Sequence, residues 1–232
     1  MDFQATLFES TPLDAASLVA TRRTALAKGA WVDVRRDWLA DADDVFATMV
    51  HDVPWRAERR QMYDRVVDVP RLVHQYAVGE PLPHPTLVAA REVLSEHYRP
   101  TLGGPFVTAG CCFYRDGGDS VAWHSDRRVR APRPDGQAST APGRSFAEGG
   151  DGSDRIGRGD HEDTLIAIVS LGDPRRLALR PRGGGASLSF TMSHGDLLVM
   201  GGSCQRTWEH AVPKVVHAGP RISVQFRPLN VF

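Results

Sequence analysis

Two residues invite a chemical reading first. His124 and Asp126, in Trp123-His124-Ser125-Asp126, stand two apart at the end of the run Val121-Ala122-Trp123. In an extended strand, residues i and i+2 point to one face. An imidazole nitrogen and a carboxylate oxygen can therefore meet at one point. One more histidine from a distant strand completes a two-histidine, one-carboxylate facial triad, a set that holds Fe(II) and leaves positions open for reaction. The local pair is common by itself, and its ordinary reading is a solvated loop end.

Three histidines compete for the third place. His194 precedes Gly195-Asp196 and reads as a turn residue, and His217 lies in the turn-like Val216-His217-Ala218-Gly219-Pro220. His210 lies in a strand candidate, Thr207 to Val212, and is the best of the three. Just downstream, Arg221, Ser223, Gln225 and Arg227 alternate with Ile222, Val224 and Phe226. This is a clean period of two, with one apolar face and one face carrying two guanidiniums, a hydroxyl and an amide. Any surface strand can be polar on one side. Two arginines framing small polar groups also suit a dicarboxylate, which a guanidinium meets as a bidentate fork.

These groups need a scaffold. The 232 residues fit one large domain or two small ones and can bury a real core. Basic and acidic residues balance at 28 each, which argues against a strongly basic, non-specific nucleic-acid coat. Cys111, Cys112 and Cys204 fit no zinc spacing and read as reduced thiols. Asp2 and Glu9 interrupt the first ten residues, so no signal peptide is read there, and no stretch reaches transmembrane length. A soluble, cytoplasmic monomer is expected.

The pattern predicts helices first. Thr11-Pro12 opens one that runs to about Lys28, with Gly29 as terminator. A short strand, Trp31 to Val34, precedes a helix over Asp41 to Val50 with Val45, Phe46, Met49 and Val50 on one face. His51 to Pro85 is arginine-rich and irregular, and Pro85 opens a third helix with Leu87, Ala90, Leu94 and Tyr98 on one face. From Phe106 short β-rich runs dominate: 106–114, 164–171, 176–180, 186–192, 197–200, 207–212 and 221–227. The expected class is mainly β with N-terminal helices, α+β, in a single domain over 1–232. A helical and lid region occupies 1–105 and a β core 106–232. Residues 127–160 hold few large apolar side chains and read as a flexible insertion, with Ser-Asp-Arg at each end.

Several motifs in order resemble the AlkB-like Fe(II)- and 2-oxoglutarate-dependent dioxygenases, the family of alkylated nucleic acid repair. They are Phe113-Tyr114-Arg115-Asp116-Gly117-Gly118-Asp119-Ser120 with Trp123-His124-Ser125-Asp126, Ile168 to Gly172, Gly195 to Gly202, Trp208-Glu209-His210 with Val212-Pro213-Lys214, and Arg221 to Arg227. The resemblance implies a double-stranded β-helix, or jelly roll. It implies His124, Asp126 and His210 as iron ligands. Arg221, Tyr114 and Arg227 would lie about 2-oxoglutarate, with Ser223 in a position where the family commonly has asparagine. Fe(II), 2-oxoglutarate and O2 are the implied cofactor and cosubstrates. The implied activity is oxidative demethylation of N-alkylated bases in DNA or RNA, releasing formaldehyde, succinate and CO2.

The departures bear on substrate more than on catalysis. Cys112 stands where the family commonly has asparagine, and a thiol is a weak hydrogen-bond partner. Ser223 and Gln225 replace asparagine and threonine. Arg127 and Arg128 follow Asp126 where the best-studied members carry acidic residues facing the base. A flipped base needs stacking surfaces and cations, and Trp55, Tyr63 and Arg60 are read as such a lid, against their plainer reading as core aromatics and a solvated arginine. Trp123 is read as packing beneath the metal loop. Two other classes stay open: a hydroxylase of a protein or small metabolite on the same fold, and a non-catalytic nucleic-acid or partner-binding module.

Overall fold

The structure is a computed structural model. It describes residues 13–62, 65–102, 104–126, 163–229 and 231, with the backbone alone at 15, 59–62, 65–68 and 102. The expected insertion at 127–160 and Tyr63 lie outside the described residues.

Twelve strands are described: β1 Arg22–Ala25, β2 Ala30–Arg35, β3 Arg56–Met62, β4 Arg65–Tyr76, β5 Phe106–Tyr114, β6 Val121–His124, β7 Ile166–Gly172, β8 Arg175–Pro181, β9 Leu188–Met192, β10 Leu197–Gly202, β11 Trp208–Val212 and β12 Arg221–Pro228. They form an eight-stranded sheet, β1-β2-β10-β7-β12-β5-β4-β3, and a four-stranded sheet, β6-β11-β8-β9. Every pairing is antiparallel. Helices α1 (Ala42–Asp52), α2 (Pro85–His97), α3 (Arg99–Leu102) and α4 (Cys204–Thr207) and two 3₁₀ turns, Ala15–Leu18 and Ala27–Gly29, complete the described elements. Two sheets with helices on the outer face of the larger one give the jelly-roll architecture expected from the sequence.

The alternation in β12 explains how the layers assemble. Ile222, Val224 and Phe226 are fully buried on the helix side, with Val45 and Met49 of α1 and Leu87, Ala90 and Leu94 of α2. Burying each of the three stabilises by roughly 1.5–3 kcal/mol. That anchors the strand firmly enough to carry a desolvated arginine on its other face. A second core fills the space between the sheets, with Ile166, Ile168, Leu198 and Met200 from one and Leu177, Leu179, Met192 and Val212 from the other.

Two expectations are corrected. No α-helix spans the described part of 11–28. Ala15–Leu18 is a single 3₁₀ turn capped by the Asp14 carboxylate, which accepts from Ser17 N at 3.0 Å, and Arg22–Ala25 is β1. The reason is a partner distant in sequence. Arg23 donates to both carboxylate oxygens of Asp33 on β2 at 2.7 Å each and stacks over Trp31. The stretch His51 to Pro85 is also more regular than its arginines suggest, because it contains the β3–β4 hairpin. Pro70 sits where the register shifts between Ala57 and Arg59, so its missing N–H costs no ladder bond. The region 1–105 therefore supplies strands to the main sheet as well as helices.

Candidate metal centre and cosubstrate pocket

The register of the small sheet brings the three candidate metal ligands together. β11 pairs with β6 so that His210 lies opposite His124, and the ring centroids are 4.2 Å apart. Asp126 follows two residues after His124, just past the strand end. The ligand atoms of the three side chains lie within 4.8 Å of one another. His124 Nδ1 is 2.9 Å from the Ala122 carbonyl, which can only accept. The proton therefore sits on Nδ1, and the Nε2 lone pair is left for a metal.

Asp126 is held from two sides. Its backbone N–H donates to Gln205 Oε1 of α4 at 3.2 Å, and its Oδ2 accepts from Arg227 Nε of β12 at 3.1 Å. The other oxygen, Oδ1, lies 3.8 Å from His124 Nε2. Burial alone would raise its pKa, but the neighbouring Arg227 guanidinium, which also donates to it, prevails with the two histidines and holds it below the usual carboxylate range. Burial, and then the neighbouring His124, push His210 down to about 3. At neutral pH the cluster thus offers a carboxylate and a neutral buried imidazole, the forms that ligate a cation.

The neighbouring face of the large sheet holds the arginine strand. β12 pairs with β5 so that Arg221 faces Tyr114, Ser223 faces Cys112 and Gln225 faces Gly110. Arg221 is only 1% exposed. Its Nε donates to Ser170 Oγ of β7 at 3.1 Å and its guanidinium lies 5.0 Å from the Tyr114 ring centre. Its Nη1 is buried without a hydrogen-bond partner. A buried charged donor left open is costly unless a ligand completes it, so the residues present fit a bound carboxylate. Burial first, then Cys112, push the Tyr114 hydroxyl up to about 12, so it remains an O–H donor across the neutral range.

The departures from the family pattern contact one another. Gln225 Nε2 donates to the Ser223 carbonyl at 3.1 Å and to Ser223 Oγ at 2.5 Å, while its Oε1 lies 4.0 Å from Cys112 Sγ. Two further positioning residues carried no sequence signal. Gln205 fixes the Asp126 backbone. Arg175, 2% exposed, donates to the carbonyls of Asp116, Asp119 and Pro213 and ties the loop after β5 to the end of β11.

Gln205→Leu leaves the buried Asp126 N–H without an acceptor. Its expected cost is about 1–3 kcal/mol of stability, with metal affinity falling roughly tenfold. Thermal unfolding and a metal titration check both; an unchanged affinity would remove Gln205 from the site's support.

Other residues fall elsewhere. His194 Nδ1 accepts from Gly172 N at 2.7 Å and is a turn residue, and His217 lies in the loop between β11 and β12. Trp123 is half-buried, with Arg180 over its ring at 4.3 Å. The lid reading of Trp55 is corrected. Its indole donates to the Met49 carbonyl at 3.1 Å and its ring packs 5.3 Å from Phe113, within the helix-side core. Phe113 alternates with Cys112 and Tyr114, so this is the sheet face turned away from the triad. Arg60 lies in β3, with its side chain outside the described residues.

Comparison with known proteins agrees with this geometry. Residues 152–227 match the family model of the 2OG-Fe(II) oxygenase superfamily. Over that stretch the chain is similar to that superfamily, whose named groups are Fe(II) and 2-oxoglutarate. The chain is also similar to AlkB-like proteins. It is 29% identical to alpha-ketoglutarate-dependent dioxygenase alkB homolog 3 of Bos taurus, over 82% of this chain and 62% of that protein. With the Homo sapiens protein of the same name it shares 28% identity over 85% of this chain and 63% of the relative. It is 31% identical to DNA oxidative demethylase ALKBH2 of Arabidopsis thaliana over 59% of this chain and 42% of the relative. The chain thus spans less than two thirds of the length of these relatives. The solved structure of OsALKBH1 shares the fold, with a TM-score of 0.53 at 13% identity, covering 88% of this chain and 100% of that one. No helix among the described residues is long and apolar enough to cross a membrane.

Proposed function

We propose that this protein oxidatively demethylates N-alkylated bases in DNA or RNA, consuming 2-oxoglutarate and dioxygen and releasing formaldehyde, succinate and CO2. The observation that carries the oxygenase part is the buried, partly unpartnered Arg221 guanidinium on the strand that also sends Arg227 to Asp126. His124, Asp126 and His210 are the residues to hold Fe(II), and iron so held supplies the oxidation of a nearby C–H bond. Arg221 Nη1 and the Tyr114 hydroxyl receive the cosubstrate carboxylate, with Ser170 fixing the guanidinium from behind. Arg227 keeps Asp126 ionised and aimed. The apolar walls of Ile168, Leu179 and Met200 exclude water beneath the site.

The nucleic-acid part rests on the relatives, two of them named as alkB homolog 3 and one as a DNA oxidative demethylase. A base in a duplex must leave the stack to reach such a centre. The test is a panel of DNA and RNA oligonucleotides carrying 1-methyladenine or 3-methylcytosine. Formaldehyde release dependent on Fe(II) and 2-oxoglutarate is the expected result. Succinate formation without any oligonucleotide demethylation transfers the proposal to a protein or small-metabolite substrate.

A further inference from the structure

We propose that Gly110 is a positioning residue: the absence of its side chain makes the place that Arg227 needs to hold Asp126. This rests on the reading of Asp126 as a metal ligand. Gly110 lies inside β5, opposite Gln225 of β12 and Gln75 of β4. Its φ lies outside the left-handed region, so the backbone does not require glycine there. The requirement comes from space. A Cβ at position 110 would overlap Arg227 Nη1 and lie 3.3 Å from Arg227 Cζ and 3.1 Å from Gln225 Oε1.

The overlapping atom decides what a substitution does. Nη1 is the far end of a flexible side chain, so the clash is relieved by moving the guanidinium, with the strand left in place. The same guanidinium donates through Nε to Asp126 Oδ2 at 3.1 Å, and that bond leaves Oδ1 as the oxygen near His124 Nε2. Displacing Arg227 therefore frees the carboxylate to rotate and removes the cation beside it. The strand pairing of Gly110 is untouched, so a folded protein with a loosened metal site is the expected product. Outer partners of metal ligands contribute about 10–100-fold in metal affinity.

The test titrates the purified full chain, metal-free, with Co(II) alone and follows the visible absorption of the bound ion and the melting temperature. Wild type, Asp126→Ala, Gly110→Ala, Arg227→Gln and the Gly110→Ala/Arg227→Gln double variant are compared. The expected result is a Co(II) affinity about tenfold weaker for Gly110→Ala, a similar loss for Arg227→Gln, and no further loss in the double variant. The Gly110→Ala melting temperature before metal is added should stay within a few degrees of wild type. Additive losses, or an unchanged affinity for Gly110→Ala while Asp126→Ala abolishes binding, overturn the role given to Gly110 alone. Wild-type affinity in Asp126→Ala overturns the ligand reading and this inference with it.

Discussion

Asp126→Ala is expected to abolish 2-oxoglutarate turnover and to weaken metal binding by more than the ~10–100-fold typical of a lost outer partner. The carboxylate is 5% exposed and anionic despite its burial, because Arg227, His210 and His124 surround it. Alanine leaves two imidazoles to hold a cation that prefers at least one hard, charged oxygen. It also leaves Arg227 Nε without its acceptor, a second and independent loss. Asp126→Asn separates the two. An amide keeps a neutral acceptor for Arg227 but cannot supply a charged ligand, so it should bind metal nearly as poorly as alanine while the fold is better preserved. Turnover of 2-oxoglutarate, metal titration and thermal unfolding, measured together, check this. Near-normal turnover in either variant would falsify the ligand assignment.

Arg221→Ala is expected to raise the 2-oxoglutarate requirement by about 10–100-fold. A hydrogen bond between charged partners contributes about 1.5–3 kcal/mol, and each 1.4 kcal/mol is about tenfold in affinity. The stability of the protein without ligand should move the other way from intuition. Burial lowers the Arg221 pKa, and Nη1 has no partner, so the free protein bears an incompletely compensated charge. Replacing it by an apolar side chain of similar length, as in Arg221→Met, should leave the melting temperature unchanged or raise it. Stabilisation of the wild type by added 2-oxoglutarate should disappear in the same variant. Arg221→Lys is not a conservative control, because an ammonium cannot reproduce the planar fork. An unchanged 2-oxoglutarate requirement, measured by varying cosubstrate at fixed iron, would remove Arg221 from the pocket.

The two substitutions act at opposite ends of one strand. β12 carries Arg221 beside Tyr114 and Arg227 beside Asp126, and Ser223 and Gln225 lie between them. The family pattern commonly has asparagine and threonine at those two positions and asparagine at 112. Here a glutamine bends back along its own strand to Ser223 and reaches toward Cys112. The three departures thus form one set of contacts. Cys112 is a weak donor, and the strand face beside Arg221 is correspondingly less polar than the family pattern implies.

What the chain's local sequence determined is considerable. Period-two alternation defined β12, and compact runs of apolar and β-branched residues located β5, β7, β10 and β11 within a few residues of their bounds. The i, i+2 spacing of His124 and Asp126 put both on one side because an extended chain leaves little alternative. The choice of His210 over His194 and His217 also followed from strand context. Other features depended on partners far away in sequence. Arg22–Ala25 is a strand because Asp33 and Trp31 receive Arg23, a contact no local window contains. Trp55 belongs to the helix-side core because the β3–β4 hairpin folds it onto Phe113, although its arginine neighbours suggested a surface. Gln205, Arg175 and Gly110 matter through contacts with residues distant in sequence, and a single polar or missing side chain leaves no periodicity to read. The sequence by itself supplied the candidate ligands and the alternation that turns them to a common face. Only the tertiary structure decided which oxygen of Asp126 Arg227 occupies and which nitrogen of Arg221 is left without a partner, because both follow from contacts between strands that are distant in sequence.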